Sequence, residues 1–140
     1  MNKEDLAVEF VLSIERMHSN LQKKIEGQLN FHGISFTEYL IMYHLSAQTN
    51  KTMRRIQLAQ SVGITASGVT RLLAPMEKIK LITKESNPRD ARVSLVKLSK
   101  VGEKVFKEAQ ISFNHSAVNF LELLSEKQVI ALTEKIQKLT

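Results

Sequence analysis

Residues 58–78 read LAQSVGITASGVTRLLAPMEK, and this stretch decides the fold. Apolar residues at helical spacing lie on both sides of Gly63, a residue suited to the left-handed turn that ends a helix. Thr65 follows where its hydroxyl can cap the next helix. A helix, a turn containing glycine and a second helix are the signature of a helix-turn-helix unit. Upstream, Thr52 is placed to cap the first helix of the unit, which we expect over about residues 53–62.

Two runs rich in β-branched and apolar residues follow this unit, LITKE at 81–85 and RVSLVKL at 92–98. They predict two strands joined by a turn that Pro88 shapes by fixing its own backbone. A helix-turn-helix followed by a two-stranded hairpin is a winged helix. The sequence therefore predicts a mainly α fold with a small β-hairpin wing, and a winged helix-turn-helix lobe over about residues 36–98.

Long helices are predicted on both sides of this lobe, over about residues 3–31 and 100–139, and Ser99 can cap the second of these segments. Capping boxes predict further helix starts after Ser35 and Ser125. The terminal segments are too apolar on one face to be left in water, so we expect them to act as dimerisation helices. No linker divides the chain, and residues 1–140 are expected to form one domain. The apolar stripe of the first helix consists of Leu6, Phe10, Ile14, Met17, Leu21 and Ile25.

The composition excludes several classes of protein. The 140 residues contain no cysteine, which rules out disulfides, thiolate zinc sites and thiol sensors. No apolar run approaches the roughly 20 residues of a membrane span, and no signal-peptide pattern opens the chain, so we expect a cytoplasmic protein with no membrane partner. Four scattered histidines favour no metal site, and no cofactor is expected. Common nucleotide-binding, zinc-peptidase and serine-hydrolase motifs are missing, so we predict no enzyme and no catalytic residues.

Positive charge is concentrated in the middle of the chain. Residues 51–92 hold nine Lys and Arg but only three acidic residues, and their net charge of +6 equals that of the whole chain. A basic block in an otherwise balanced fold is the footprint expected for a polyanion such as double-stranded DNA. A solvated basic face without a partner is the alternative.

The second helix of the unit supplies the first candidate DNA-binding residues. In a winged helix this element enters the major groove, so its exposed early residues face base edges. Hydroxyl groups can bond to bases or phosphates, a glycine leaves room for DNA, and an arginine fork suits guanine or phosphate. For Ser67 and Thr70, the alternative is that they are ordinary surface residues of a capped helix. The candidates are Thr65, Ser67, Gly68, Thr70 and Arg71.

The turn between the strands, SNPRDA at 86–91, supplies the remaining candidates together with its neighbour Arg92. A narrow minor groove attracts arginine, so Arg92 is the candidate groove reader, whereas Arg89 is better suited to phosphate. Phosphate would repel Asp90, which we expect to brace the wing by pairing with a nearby arginine. Arg54 completes the candidate DNA-binding set. A solvated turn with a local Asp–Arg pair is the alternative.

Several pieces of the chain together resemble the MarR family of bacterial transcriptional regulators. They are LAQSVGIT, SGVTRLLAPMEK, the wing motif Asp90-Ala91-Arg92 and the passage VKLSKVGEKVF, while FTEYLIMYHL extends the resemblance to nearly the whole chain. Two positions depart from the family pattern. Lys80 stands where the family usually has glycine, and a residue other than glycine is tolerable there if its φ stays negative. Ser99 stands where threonine is commoner.

The resemblance implies a homodimer whose N- and C-terminal helices interlock. Such a dimer binds a pseudo-palindromic operator, with recognition helices in successive major grooves and Arg92 in the flanking minor groove. The resemblance also implies repression as the common habit, and a small-molecule effector in a pocket whose residues we do not assign. Two other functions stay open, a non-specific architectural DNA-binding protein and a winged-helix protein-interaction module. The combination of Arg71, Arg89 and Arg92 favours DNA, because a protein-binding wing has no need of all three.

Overall fold

The computed structural model describes residues 1–140 as six α-helices, one short 3-10 helix and three strands. It confirms the predicted mainly α fold with a small β wing. The 3-10 helix, Asn30–His32, lies between the first two helices. In chain order the other elements are α1 (Lys3–Leu29), α2 (Phe36–Ser46), β1 (Thr52–Arg54), α3 (Arg55–Val62), α4 (Ala66–Lys78), β2 (Ile82–Asn87), β3 (Asp90–Leu98), α5 (Lys100–Phe120) and α6 (Glu126–Lys138).

Side-chain caps fix most of the helix starts, as the sequence predicts. The Ser35 hydroxyl accepts from the Glu38 N–H at 3.1 Å, and the Glu38 carboxylate accepts from the Ser35 N–H at 2.8 Å. The Thr65 hydroxyl starts α4 by accepting from the Gly68 N–H at 3.0 Å. Each of these bonds satisfies an N–H that has no partner within its own helix. The predicted end of α3 at Gly63 is confirmed. The predicted caps Ser99 and Ser125 are confirmed at the starts of α5 and α6.

The prediction that Thr52 caps the first helix of the unit is wrong. Thr52–Arg54 forms β1, which runs antiparallel to β3 with Arg54 opposite Leu95. The wing therefore belongs to a three-stranded sheet in the order β1-β3-β2 rather than to an isolated hairpin. A strand of three residues is too short to show alternation, and it forms because β3 offers its second edge for pairing. The helix of the unit begins only at Arg55.

A single buried core holds the lobe together. Nineteen buried apolar side chains form it, and they extend along the chain from Ile25 to Ala109. They come from the end of α1, from every element between α2 and β3, and from the first half of α5. Complete burial of one such side chain contributes about 1.5–3 kcal/mol, so this core fixes α3, α4 and the sheet relative to one another. Helix α6 contributes no buried residue.

Lys80 follows α4 in the left-handed region with a φ of 67°, so the condition that its φ stays negative is not met. The Leu81 N–H donates to the Met76 carbonyl at 2.9 Å, and the Lys80 N–H donates to the Glu77 carbonyl at 3.0 Å. These two bonds define a Schellman motif, whose left-handed position is usually glycine. Hydrogen bonding at the helix end thus imposes a conformation that costs a residue with a Cβ about 1–2 kcal/mol.

The segment after α4 approaches the start of α5 closely. The Ser99 hydroxyl lies 2.6 Å from the Lys80 carbonyl oxygen and 3.0 Å from that of Leu81, and it accepts from the Gly102 N–H at 2.9 Å. A Cβ on Gly102 would collide with the Leu81 carbonyl and lie 2.7 Å from Leu98 Cδ1. Only glycine fits this approach without a shift. We call Lys80, Leu81, Ser99 and Gly102 the joint, because they hold α5 against the lobe.

The terminal helices leave large apolar side chains in solvent. Along the stripe of α1, Ile25 is buried and Leu21 packs against the core, but the four members nearer the N-terminus are exposed. No helix is both long and apolar enough to cross a membrane. The exposed apolar residues of the stripe, of α6 and of the residue after α6 are Leu6, Phe10, Ile14, Met17, Ile130, Leu132, Ile136 and Leu139.

Candidate nucleic-acid interface

The exposed face of α4 lies opposite the face that packs into the core. Val69, Leu73 and Met76 are in the core. Because side chains three and four positions apart share one helix face, the opposite face can be identified directly. Arg71 and Lys78 are the two cations on that face, and both are exposed. Lys78 is not among the candidates from sequence. The outward face consists of Ser67, Arg71, Ala74 and Lys78.

Three of the predicted residues lie together at the N-terminus of α4. Thr65 Oγ1 is 3.2 Å from Ser67 Oγ, in addition to its capping bond. A Cβ on Gly68 would lie 3.1 Å from Thr65 Oγ1, so the glycine also leaves room for the cap. The partial positive charge of a helix N-terminus and the nearby hydroxyls are suited to phosphate.

Thr70 lies on the flank of α4 that meets α3. Its hydroxyl donates to the Ala66 carbonyl at 3.0 Å and accepts from Arg55 Nη1 at 2.8 Å. A hydroxyl has a single proton, so with these bonds in place Thr70 has none left for a base or a phosphate. Arg55, which the sequence did not single out, presents its guanidinium at this point. No spacing rule links the first residue of α3 with one inside α4, and only the fold brings them together.

The wing tip is a two-residue turn with an irregular ladder behind it. The Arg89 N–H donates to Asn87 Oδ1 at 2.9 Å, which fixes the turn. Ser86 pairs with Ser94, but the pairing register shifts at Asn87, and residues 91–93 have no partner on β2. Arg92 lies in this bulge and is exposed. The bulge turns its side chain out of the ladder.

Arg92 is the partner of Asp90. The Asp90 carboxylate accepts from Arg92 Nε at 3.1 Å, from Nη2 at 3.4 Å and from the backbone N–H at 3.0 Å. The hydrogen bonds from the side chain and backbone of Arg92, together with the charge of Arg54, lower the pKa of the Asp90 carboxyl. An exposed ion pair adds little to stability. The pair is therefore important chiefly for the direction in which it holds the guanidinium.

Two short-range contacts involve cations around the wing, α3 and α4. Arg92 pairs with Asp90 within the wing, and Arg55 of α3 bonds to Thr70 on α4. Of the arginines in this region, only Arg92 takes part in any of the four side-chain ion pairs within 4.0 Å. The other guanidinium groups are thus available to an anionic partner. We call the cations of this region the basic surface: Arg54, Arg55, Arg71, Lys78, Arg89 and Arg92.

The histidines occupy separate positions in the fold. His32 Nε2 is 2.8 Å from Ser112 Oγ, which connects the 3-10 helix to α5. Burial lowers the pKa of His44 on α2. No group of three or more His, Asp or Glu side chains is placed to hold a metal ion. Between α2 and α5, Tyr39 stacks on Phe113 at 4.5 Å and on Phe106 at 5.2 Å, so this space is filled by aromatic packing.

A helix-turn-helix with a basic outward face, followed by a β wing that carries exposed arginines, defines a winged helix-turn-helix protein. The model of the MarR family matches residues 34–94, which are the lobe from just before α2 into β3. Over these residues the chain is similar to the MarR family. Proteins of that family are transcription regulators and not enzymes.

Related proteins and structures cover nearly the whole chain. The HTH-type transcriptional regulator YhbI of Bacillus subtilis (strain 168) is 24% identical over 136 residues, which are 96% of this chain and 87% of that protein. Sco3205, a MarR family transcriptional regulator from Streptomyces coelicolor solved in complex with DNA, is 20% identical with a TM-score of 0.89 over 99% of this chain and 87% of its own.

A mutant MarR from E. coli, solved with operator DNA, is 15% identical with a TM-score of 0.88 over 99% of both chains. At these identities the two solved structures establish the shared fold. Because the agreement covers 99% of this chain, the fold includes the terminal helices as well as the lobe.

Proposed function

We propose that this chain is a sequence-specific DNA-binding regulator of transcription that acts as a homodimer on a pseudo-palindromic operator. Each recognition helix, α4, enters a major groove with Ser67 and Arg71 toward the bases. Arg92 enters the flanking minor groove, and Arg89 and Arg54 contact phosphates. Two relatives of the same fold were solved with DNA, which supports this proposal.

The observation that carries the proposal is the number of exposed cations without an anionic partner in the basic surface. Its cations come from β1, α3, α4 and the wing, and only Arg92 among them is in an ion pair within 4.0 Å. Residues 51–92 hold the whole net charge of +6, so the surface attracts a polyanion. The exposed hydroxyls and arginine forks beside these cations can also distinguish bases, which charge alone does not.

Selection from a random pool of duplex DNA tests the proposal and identifies the operator at the same time. We expect the bound fraction to converge on a palindrome whose half-sites lie about one helical turn apart. Binding of the selected and a scrambled duplex is then measured by fluorescence anisotropy across a salt series. Equal affinity for both would indicate an architectural protein, and no binding at low salt would indicate a protein-interaction module.

The Arg71→Ala variant tests base reading by the recognition helix. It is expected to lower the discrimination between selected and scrambled DNA by about 1–3 kcal/mol if Arg71 contacts a base. Arg92→Ala is expected to weaken binding chiefly through the base pairs that flank the half-sites. Parental binding by Arg92→Ala at every salt concentration would contradict the role of the wing.

The exposed apolar faces of the terminal helices support the homodimer. Exposed apolar patches of this kind are uncommon in monomers unless they form an interface. The solution mass is expected to be twice the chain mass of 15.9 kDa. Ile136→Glu places a charge on the apolar face of α6 and is expected to lower the mass toward one chain. Ala131→Glu, on the opposite face, is the matched control and should leave the mass unchanged.

Repression and release by a small-molecule effector also belong to this proposal, as does a cytoplasmic location. They are supported by the resemblance to the MarR family, whose members commonly repress. Loss of the gene is expected to raise transcription from promoters that contain the selected operator. A fall in transcription would indicate an activator.

A further inference from the structure

The bond between Arg55 and Thr70 is a feature of the basic surface that the proposed contacts do not use. We infer that Arg55 is a phosphate contact in the DNA complex, and that Thr70 is its positioning residue rather than a contact to a base. Both roles depend on the proposed DNA binding. They add one residue to the interface and change the role of another.

The hydrogen bonds of Thr70 favour a positioning role. Its proton is directed to the Ala66 carbonyl at 3.0 Å, and one lone pair is occupied by Arg55 Nη1 at 2.8 Å. Phosphate oxygens and most major-groove base atoms are acceptors, so a contact to them requires a hydroxyl proton. Thr70 can donate to a phosphate oxygen or to a base acceptor only after it breaks its hydrogen bond to the Ala66 carbonyl. By contrast, the Thr70 hydroxyl accepts from Arg55 while the bond to Ala66 is intact.

Arg55 has what a phosphate contact requires. A guanidinium has five N–H donors, and the bond to Thr70 uses one of them. No carboxylate lies within 4.0 Å of it, so its charge is not neutralised within the chain. Arg55 is the first residue of α3, and the first helix of a helix-turn-helix crosses the DNA backbone rather than entering the groove. Its partner is therefore a phosphate oxygen.

A purely structural bond between α3 and α4 is the competing explanation. The two helices are already held together by buried side chains, among them Leu58 and Ala59 from α3 and Val69 from α4. Arg55 is exposed and Thr70 is half-buried. Variants at these two positions should therefore retain the parental fold, which thermal unfolding monitored by circular dichroism would verify before binding is measured.

The first experiment compares Arg55→Ala with the parent on the selected and the scrambled duplex. Loss of one phosphate contact per chain should weaken binding to both duplexes by the same factor, about tenfold. The slope of log affinity against log salt should become shallower by about 0.9 per chain. Lys107→Ala removes one charge from α5, outside the basic segment, and should change neither quantity. An unchanged slope with Arg55→Ala would overturn the phosphate contact.

The second experiment tests whether Thr70 acts through Arg55. Thr70→Val removes the hydroxyl and should weaken binding several-fold in the parent but not in an Arg55→Ala background. Thr70→Ser keeps the hydroxyl and should bind like the parent. Equal losses from Thr70→Val in both backgrounds would show that Thr70 contacts DNA itself. A structural role would instead lower the unfolding temperature without changing the salt slope.

Failure of this inference can be distinguished from failure of the proposed function. A phosphate contact does not depend on sequence, so the Arg55→Ala slope is informative even if the parent binds all DNA equally. In that event the sequence-specific function fails while the role of Arg55 is still decided. If the parent discriminates between the duplexes and Arg55→Ala does not differ from it, only the inference about Arg55 is wrong.

Discussion

The helices of the lobe and the terminal helices have the same apolar spacing, but they differ in how much of the apolar face is buried. Leu73 of α4 has 0% of its surface exposed, because the same chain covers it on every side. Ile136 of α6 follows an equally regular apolar spacing and is 48% exposed. Periodicity defines which face of a helix is apolar, but burial depends on what packs against that face. The core of the lobe is thus covered within one chain, whereas the terminal helices leave apolar side chains exposed, which the second copy of the proposed homodimer would cover.

The largest expected effect is on the lobe core. Leu73→Ala removes a fully buried side chain and is expected to lower the free energy of unfolding by about 3 kcal/mol, through lost burial and the cavity left behind. Urea unfolding followed by circular dichroism measures it. Because the chain covers Leu73 itself, this loss should be the same at every protein concentration.

Ile136→Ala is the matched change on the terminal helices. If the second copy covers this face, its effect should be largest at low protein concentration, where association is weakest. An equal loss from Ile136→Ala at all concentrations would remove the distinction between the two regions.

Gly102 tests the joint between the two regions. Gly102→Ala places a methyl group against the Leu81 carbonyl and is expected to cost about 2 kcal/mol, because the backbone must move apart. Gly27→Ala is the matched control, since a Cβ there meets nothing within 4 Å. In a helix the control change should be stabilising by about 0.5–1 kcal/mol. Urea unfolding of both variants measures the contrast, and similar losses would show that close packing at the joint is unimportant.

Much of the fold could be predicted because local signals mark its boundaries. Ser35, Thr65 and Ser125 each cap the helix that the sequence predicts. Two positions that the sequence does not explain have a common cause. Thr52 enters a strand because β3 is beside it, and Lys80 becomes left-handed because the end of α4 requires such a residue before Leu81. In both, tertiary packing or helix-end hydrogen bonding outweighs the preference of a single residue.

The candidate site was predicted less completely than the fold. Helical spacing was enough to place Ser67 and Arg71 on the outward face of α4. The partner of Asp90 required coordinates, although Arg92 is only two residues away, because several arginines were available. Arg55 was missed because its relation to α4 depends on the packing of two helices. Contacts within one element follow from sequence spacing, whereas contacts between elements do not.

Tyr39 tests the aromatic contact between the lobe and α5. Burial, with a smaller effect of Tyr43, raises the pKa of Tyr39 to about 12. Because the unfolded chain loses this proton near pH 10, stability falls as the pH rises from 10 to 12. At pH 11 the loss from this group is expected to be about 1.4 kcal/mol.

Urea unfolding at pH 7 and pH 11, in the parent and in Tyr39→Phe, isolates this contribution. Between pH 7 and pH 11, Tyr39→Phe should lose about 1.4 kcal/mol less stability than the parent. The chain has two tyrosines and no tryptophan, so a Tyr43→Phe variant also gives the ionisation of Tyr39 directly from ultraviolet absorbance. A transition near pH 10 in that variant would show that the contact between α2 and α5 does not exclude water.

The smallest expected effect is a gain at the joint. Lys80→Gly removes the Cβ from a left-handed residue with a φ of 67°, which relieves about 1–2 kcal/mol. The greater flexibility of glycine in the unfolded chain offsets about 0.5–1 kcal/mol of this, so a net gain of about 0.5–1 kcal/mol is expected in urea unfolding.

Lys78→Gly, inside α4, is the control and should be destabilising by about 1 kcal/mol. Both variants lose one positive charge, Lys78 from the basic surface and Lys80 two residues further along the chain, so opposite signs of their effects on stability would separate backbone conformation from charge. If Lys80→Gly is destabilising as well, the left-handed turn is not the source of strain, and the lysine side chain must itself stabilise the joint between the lobe and α5.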